Sequence, residues 1–145
     1  MDMELARHNM IESQVRTCEV LDERVLRAIE EVPRERFVPE ENRAWAYIDY
    51  PVPIGHGAEM LSPMIQARLL QELRLEEDDR VLEVGTGTGY MTALMAKLAG
   101  EVYSVDLVPS FKLEAEARLR ELGLNGNVKV ETGDAAEGWP RQAPY

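Results

Sequence analysis

Apolar residues recur at helical spacing near the start of the chain. Four of them in the segment LDERVLRAIEEVP lie three or four positions apart: Leu21, Val25, Ile29 and Val32. This spacing predicts a helix with one buried face. Asp22 can cap the start of the helix, and Pro33 ends it soon after. Together with Pro39 and Pro51, the pattern predicts short helices over residues 1 to about 50.

A second helix is predicted after Ser62 and Pro63, which supply an N-cap and a first-turn proline. Three apolar residues recur four positions apart and are expected to form its buried stripe: Ile65, Leu69 and Leu73. The segment PVPIGHG before this helix is a loop by composition. The acidic run EEDD after it is expected to be a solvated loop.

From residue 80 onward the pattern alternates between strands and helices. Short apolar or β-branched runs predict three strands: RVLEV, EVYSVD and VKVET. The segment TALMAKLAG predicts a helix between the first two strands, with Gly100 as its C-cap. The segment EAEARLREL predicts a helix that Pro109 opens and Gly123 closes. The order β-α-β-α-β predicts a parallel sheet with right-handed crossovers.

The expected architecture is an α/β, Rossmann-like sheet with an N-terminal helical extension. We divide the chain into residues 1–60, the helical extension and its loop, and residues 61–145, the N-terminal half of the α/β domain. Together they form effectively one domain. A doubly wound sheet normally has more than the first three strands. We therefore expect a further half of the sheet, either missing from this sequence or replaced by a partner that covers the open edge.

Composition narrows the classes of function. The 145 residues carry 16 Lys+Arg and 27 Asp+Glu, a formal net charge of −11. Since the cations are scattered among acids, we expect no nucleic-acid partner. Cys18 is the single cysteine, which excludes an internal disulfide and a multi-cysteine metal site and fits a reducing compartment. No apolar run is long enough to span a bilayer, so we expect a cytoplasmic protein without a membrane partner or a metal.

The segment EVGTGTGY, residues 83–90, carries the main chemical signal, because it lies between a predicted strand and a predicted helix. Glycines at such a place let the backbone approach a ligand, and a helix N-terminus favours negative charge. Glycine after a strand is also ordinary turn chemistry. A dinucleotide-binding loop reads GxGxxG, whereas here the third glycine comes one position early and Tyr90 takes its place. The segment therefore departs from the dinucleotide pattern.

Two acids follow the next two strands. Asp106 lies 21 residues after Gly85, where an acid can accept hydrogen bonds from both hydroxyls of a ribose. Asp134 follows the third strand, where an acid can accept a hydrogen bond from an adenine amino group. Their alternatives are a helix N-cap for Asp106 and a turn aspartate for Asp134. Because the carboxyl ends of parallel strands share one edge, we expect both acids and the glycines to line one site.

The form E-x-G-x-G-x-G resembles motif I of the class I S-adenosylmethionine (SAM) methyltransferases. Upstream, the segments VPRERFVP, AYID and PIGHG resemble the N-terminal region of the protein-L-isoaspartate O-methyltransferases, and GWP and APY resemble a segment before that family's fourth strand. This resemblance covers essentially the whole chain and implies a SAM methyltransferase sheet with SAM as cofactor. The cofactor-binding residues that it implies are Glu83, Gly85, Thr86, Gly87, Gly89, Tyr90, Asp106, Leu107, Gly133, Asp134 and Ala135.

The acceptor loop departs from the family's pattern. Where the family reads Q-T-I-S, this chain reads AEML, followed by Ser62. The candidates for contact with the methyl acceptor are His56, Glu59 and Ser62, although Ser62 also fits a helix N-cap. A buried Glu59 would repel a carboxylate acceptor unless one of the two is protonated or turned away.

The resemblance implies methylation of isoaspartyl residues in damaged peptides or proteins, which is a repair reaction. Two alternatives stay open. One is a methyltransferase of the same family with a different acceptor, and the other is a non-catalytic SAM-binding module.

Overall fold

A computed structural model describes all of residues 1–145. The chain forms two compact units, Met1–Arg74 and Leu75–Tyr145. The helix after Ser62 therefore belongs to the first unit, while the division expected after residue 60 stays a prediction. None of the helices combines the length and the apolar character that crossing a membrane requires.

Short helical segments make up the first part of the first unit. The α-helices are α1 (Met3–Met10) and α2 (Glu23–Glu31). Shorter π-helical and 3-10 segments are Ile11–Val15, Arg16–Cys18, Arg34–Arg36 and Glu40–Trp45. Asp22 caps α2 as predicted, because its carboxylate accepts a hydrogen bond from the backbone N–H of Arg24 at 2.9 Å.

The buried stripe of α2 begins later than the sequence predicts. The last three residues of the predicted stripe are buried, but Leu21 is 63% exposed. Leu21 lies before the N-cap and so is outside the helix. The side-chain oxygen of Gln71 accepts hydrogen bonds from the backbone N–H groups of Leu21 and Asp22. Leu21 is therefore held through its backbone N–H and not through burial of its side chain.

A β-hairpin occupies the segment PVPIGHG, for which the composition predicted only a loop. Strands β1 (Val52–Gly55) and β2 (Ala58–Met60) pair antiparallel. His56 and Gly57 form the turn between them, with φ of 54° and 73°. Positive φ at both turn residues matches the twist of the flanking strands. The prediction of a loop is therefore correct only for the turn.

Helix α3 (Pro63–Leu73) buries a different face from the predicted one. The predicted stripe is exposed by 43%, 47% and 50% at Ile65, Leu69 and Leu73. The buried residues of the helix are Pro63, Gln66, Ala67 and Leu70. Gln66 lies inside because its side-chain oxygen accepts a hydrogen bond from the buried guanidinium of Arg34. This polar contact, together with the neighbouring Ala67, sets the rotation of the helix.

The second unit has the predicted β-α-β-α-β order. Its elements are β3 (Arg80–Val84), α4 (Tyr90–Leu98), β4 (Glu101–Asp106), α5 (Pro109–Glu121) and β5 (Val128–Thr132). The sheet is parallel in the order β3-β4-β5. The predicted parallel sheet is therefore confirmed, and the carboxyl ends of its strands lie at one edge.

Two glycines near the helix ends act differently. Gly123 has a φ of 68° and follows the end of α5 as predicted. Helix α4 already ends at Leu98, so Gly100 is not its C-cap. The N–H of Gly100 donates to the carbonyl of Asp79, and a Cβ at Gly100 would lie 2.7 Å from the carbonyl oxygen of Glu77. Glycine is required there by the close approach of the acidic loop.

Candidate functional site

The glycine loop, residues 85–89, joins the carboxyl end of β3 to the start of α4. Gly85, Gly87 and Gly89 have φ of 99°, 54° and 93°, a region that other residues rarely adopt. The N–H of Gly85 donates to the carbonyl of Val105 at 2.7 Å, which ties the loop to β4. The backbone conformation of this loop therefore depends on glycine.

Helix α4 begins directly after the loop, and no side chain caps its N-terminus. Gly89 is the N-cap residue and has no side chain that could accept from the first N–H groups. Uncapped N–H groups at a helix N-terminus favour the binding of an anion such as a carboxylate. The loop and the helix together thus offer backbone donors for an anionic part of a ligand.

The carboxylate of Asp106 connects the glycine loop to the start of α5. Its Oδ2 accepts a hydrogen bond from the N–H of Gly87, and its Oδ1 accepts one from the N–H of Val108, both at 2.9 Å. Val108 is the N-cap residue of α5, so Asp106 does not itself cap that helix. Each carboxylate oxygen has capacity for a further hydrogen bond from a ligand hydroxyl.

Glu83 lies behind the loop in a cluster of buried hydroxyl groups. Its Oε1 accepts hydrogen bonds from Ser104 Oγ at 2.6 Å and from Thr92 Oγ1. Although Glu83 as a residue is only half-buried, both of these donor residues are fully buried. Burial of the carboxylate, and to a lesser extent the charge of Asp106, raise the pKa of Glu83, while the two hydroxyl donors oppose the rise, and the net pKa is about 7. This carboxyl therefore titrates near neutral pH.

The end of β5 reaches the same edge of the sheet. The N–H of Gly133 donates to the carbonyl of Asp106 at 2.9 Å. A Cβ at Gly133 would lie 2.5 Å from the ring of Trp139, so a larger residue would displace that ring. Exposed Asp134 forms a turn in which its Oδ1 accepts a hydrogen bond from the N–H of Ala136 at 2.9 Å. The turn engages one oxygen of Asp134.

The structure brings the predicted cofactor residues together at the carboxyl edge of the second unit's sheet. Tyr90 and Ala135 are buried, whereas Leu107 is 68% exposed. Thr86 is buried and its hydroxyl lies 2.6 Å from that of Ser104, which connects the loop to the hydroxyl cluster around Glu83.

The three candidate acceptor residues lie in the first unit, on and after the hairpin. His56 is exposed in the turn, and Glu59 is exposed on β2. The concern that a buried Glu59 would repel a carboxylate therefore does not apply, because its own carboxylate is solvated. Ser62 is buried at the N-cap position of α3, yet its hydroxyl makes no capping hydrogen bond. Its predicted role as a side-chain cap is thus wrong.

Arg34, which contacts the end of the segment AEML, was not predicted from the sequence to be a site residue. It is completely buried, and its Nε donates to the carbonyl of Ala46 at 2.6 Å. Its two terminal nitrogens donate to the carbonyl of Leu61, at 2.8 Å, and to the side-chain oxygen of Gln66. Arg34 therefore fixes the loop after β2 against α3. The available signal was its place in the segment VPRERFVP, which gives no indication of burial.

Arg118 of α5 is a second such residue, in the other unit. Its guanidinium donates to the carbonyl of Thr88 in the glycine loop at 3.2 Å. Burial lowers the pKa of Arg118, while the carboxylate of Glu114 opposes that change. This contact holds the loop from the side of α5, and no sequence pattern indicates it.

Comparison with known proteins identifies the family. A family model for Protein-L-isoaspartate(D-aspartate) O-methyltransferase matches residues 5–145. The Protein-L-isoaspartate O-methyltransferase of Opitutus terrae is 45% identical over 139 residues, which are 96% of this chain and 59% of that protein. Protein-L-isoaspartate O-methyltransferase 2 of an Anaeromyxobacter species is 46% identical over 142 residues, which are 98% of this chain and 58% of that protein.

Solved structures agree with the sequence comparisons. A protein-L-isoaspartate O-methyltransferase structure superposes with a TM-score of 0.80 at 26% identity, covering 96% of this chain and 45% of that chain. A Plasmodium falciparum structure in complex with S-adenosyl-L-homocysteine shares the fold, with a TM-score of 0.72 at 23% identity, covering 90% of this chain and 62% of that chain.

The chain spans a little under 60% of the length of these two curated relatives. The family model covers nearly all of the chain, and the family and fold that the motifs predict are both confirmed. The chain therefore belongs to the protein-L-isoaspartate(D-aspartate) O-methyltransferase family.

Proposed function

We propose that this chain takes part in SAM-dependent methylation of isoaspartyl residues in damaged proteins. The observation that carries the proposal is the carboxylate of Asp106, which binds the N–H of Gly87 in a glycine loop that opens onto an uncapped helix N-terminus. Such an arrangement fits a ligand that has both a ribose and a carboxylate, as SAM does. Family membership supports the choice of SAM over other ribose-containing ligands.

Each part of SAM has candidate partners in the second unit. We assign the methionine carboxylate and amino group to the region of Glu83 and the glycine loop, including Tyr90. Asp106 and the adjacent Leu107 would hold the ribose. Gly133, Asp134 and Ala135 would border the adenine, with Asp134 accepting a hydrogen bond from its amino group.

The proposed reaction requires little acid-base chemistry from the protein. When bound, SAM supplies an electrophilic methyl group on its sulfonium sulfur. An ionised carboxylate is already a competent nucleophile and needs no general base. The residues of this chain would therefore act by aligning the two reactants and by excluding water.

His56, Glu59 and Ser62 remain our candidates for contact with the acceptor. The segment AEML, in place of the family's Q-T-I-S, favours one second candidate function, which is methylation of a different acceptor. A non-catalytic SAM-binding module is the third candidate.

We place the proposed repair reaction in the cytoplasm and expect a peptide or protein substrate. The free thiol of Cys18 fits a reducing compartment. The net charge of −11 supports a partner other than nucleic acid.

A methyl-transfer assay with an isoaspartyl peptide and its aspartyl twin tests the proposed acceptor. With methyl-labelled SAM, we expect label on the isoaspartyl peptide alone. Label on neither peptide, in a chain that binds SAM, contradicts the isoaspartyl assignment. An acceptor screen with the same label then separates a different acceptor from a non-catalytic module.

The Asp106→Ala variant tests the cofactor site by calorimetric titration of SAM. Loss of charged hydrogen bonds to the ribose should cost about 1.5–3 kcal/mol, or roughly a 10- to 150-fold weaker affinity. The control is Glu137→Ala, which removes the same charge from an exposed position. If a folded Asp106→Ala variant and this control bound SAM with equal affinity, Asp106 would not be part of the cofactor site.

A further inference from the structure

A groove lies between α5 and the free edge of β5, with a volume of about 330 Å³. Its apolar lining consists of Leu119, Val128 and Val130. None of the residues assigned above to SAM or to the methyl acceptor lines it. The groove is therefore a separate feature of the second unit.

The groove is cationic, although the chain as a whole is strongly anionic. Lys112, Arg120 and Lys129 line it together with one acid, Glu116. Lys112 lies 3.7 Å from Glu116, and Lys129 lies 3.2 Å from Glu131 outside the groove. Arg120 is exposed and is not held in an ion pair. Its guanidinium is thus available to an anionic ligand.

The backbone of β5 is open towards the same side. Strand β5 has β4 as its neighbour on one side and no strand on the other. The carbonyl of Asn127 and the N–H of Gly133 bond to β4 residues, so odd-numbered residues of β5 face β4. Because alternate residues of a strand bond to opposite sides, the backbone groups of Val128, Val130 and Thr132 point to the open side. The N–H of Val128 already donates to the carbonyl of Asn125 at 3.4 Å, so strand addition would use the backbone groups of Val130 and Thr132 and the carbonyl of Val128.

We propose that this groove binds an extended peptide with carboxylate side chains, which adds as a strand to the free edge of β5. The backbone of the peptide would pair with Val130 and its neighbours, as in other cases of strand addition. Its acidic side chains would meet Arg120 and Lys112, and its apolar side chains would pack against half-buried Val128. Charge complementarity selects an acidic occupant over a neutral or basic one.

The groove differs from a strand edge whose charged residues only prevent pairing with other chains. Lysine on an edge strand commonly prevents pairing with other chains. Lys129 alone would fit that role, but Lys112 and Arg120 come from α5 and line the groove together with it. A strand edge that is only protected from pairing needs neither a groove nor positively charged residues on the neighbouring helix.

Fluorescence anisotropy with a labelled peptide of alternating Glu and Val tests the proposal. We expect saturable binding that weakens with added salt and is about tenfold weaker in Arg120→Glu. The matched control is Arg27→Glu, which makes the same charge change at an exposed residue of α2 and should leave binding unchanged. SAM titrations of both variants report whether the fold and the cofactor site are intact.

Two further peptides separate strand addition from simple charge attraction. Methylation of alternate backbone nitrogens removes the peptide's N–H donors and should abolish binding, and a peptide with Gln for Glu should bind far more weakly. Equal binding of the N-methylated peptide, equal effects of Arg120→Glu and Arg27→Glu, or no binding by the folded chain would each overturn the proposal. None of these outcomes depends on methyl transfer.

Discussion

Replacing Arg34 by methionine should lower the free energy of unfolding by about 3–5 kcal/mol. Methionine fills much of the same volume but cannot donate hydrogen bonds. The carbonyl of Ala46 and the side chain of Gln66 would then lose their donor in a buried place, and the part-buried carbonyl of Leu61 would lose its donor as well. Each unsatisfied buried acceptor costs about 1–3 kcal/mol.

Urea denaturation of Arg34→Met against the unmodified chain measures this effect. Arg27→Met provides the control, because Arg27 is exposed on α2 and should change stability by less than about 0.5 kcal/mol. The loss of stability in Arg34→Lys should lie between those of Arg34→Met and Arg27→Met, since one ammonium group cannot reach acceptors in three directions. A loss in Arg34→Met no larger than in Arg27→Met would show that the guanidinium does not anchor the loop.

Glu83 should make the free energy of unfolding depend on pH. The pKa of Glu83 rises from 4.5 to about 7 on folding, mainly through burial. Between these pH values the folded chain keeps a proton that the unfolded chain releases. The contribution of Glu83 to stability is therefore present below pH 4.5 and is lost as the pH rises through about 7, by about 3 kcal/mol in total.

Glu83→Gln isolates this contribution, because glutamine keeps an acceptor for Ser104 and Thr92 but does not titrate. Free energies of unfolding at pH 5, 6, 7 and 8 should show the unmodified chain losing stability relative to Glu83→Gln. Glu137→Gln serves as the exposed control and should run parallel to the unmodified chain. Parallel curves for Glu83→Gln and the unmodified chain would mean that Glu83 is ionised throughout this range.

The second unit was predictable because its signals are local. Each element follows the previous one along the chain and has a composition typical of its type, as in the strand RVLEV, the glycines after it and the helix TALMAKL. The carboxyl ends of parallel strands then bring Asp106 and Asp134 to one edge without further information. Family motifs in the same segments led to the same arrangement.

The first unit was less predictable because buried polar contacts decide its packing. Apolar periodicity predicted that α3 would bury Ile65, yet the hydrogen bond from Arg34 turns Gln66 inward. A charged residue in a polar segment gives no signal that it will be buried. The two strands of the hairpin were not predicted either. They are only three and four residues long, and the Pro and Gly residues of PVPIGHG are a stronger signal for turns than such short strands are for pairing.

The two tryptophans give each compact unit its own spectroscopic reporter. Trp45 lies in the first unit, and Trp139, whose indole N–H donates to Glu131 at 2.8 Å, lies in the second. In Trp45→Phe and Trp139→Phe variants, fluorescence emission would follow one unit at a time during denaturation. Coincident transitions would justify a single free energy of unfolding for the whole chain. Separate transitions would assign the effect of Arg34 to one unit and that of Glu83 to the other.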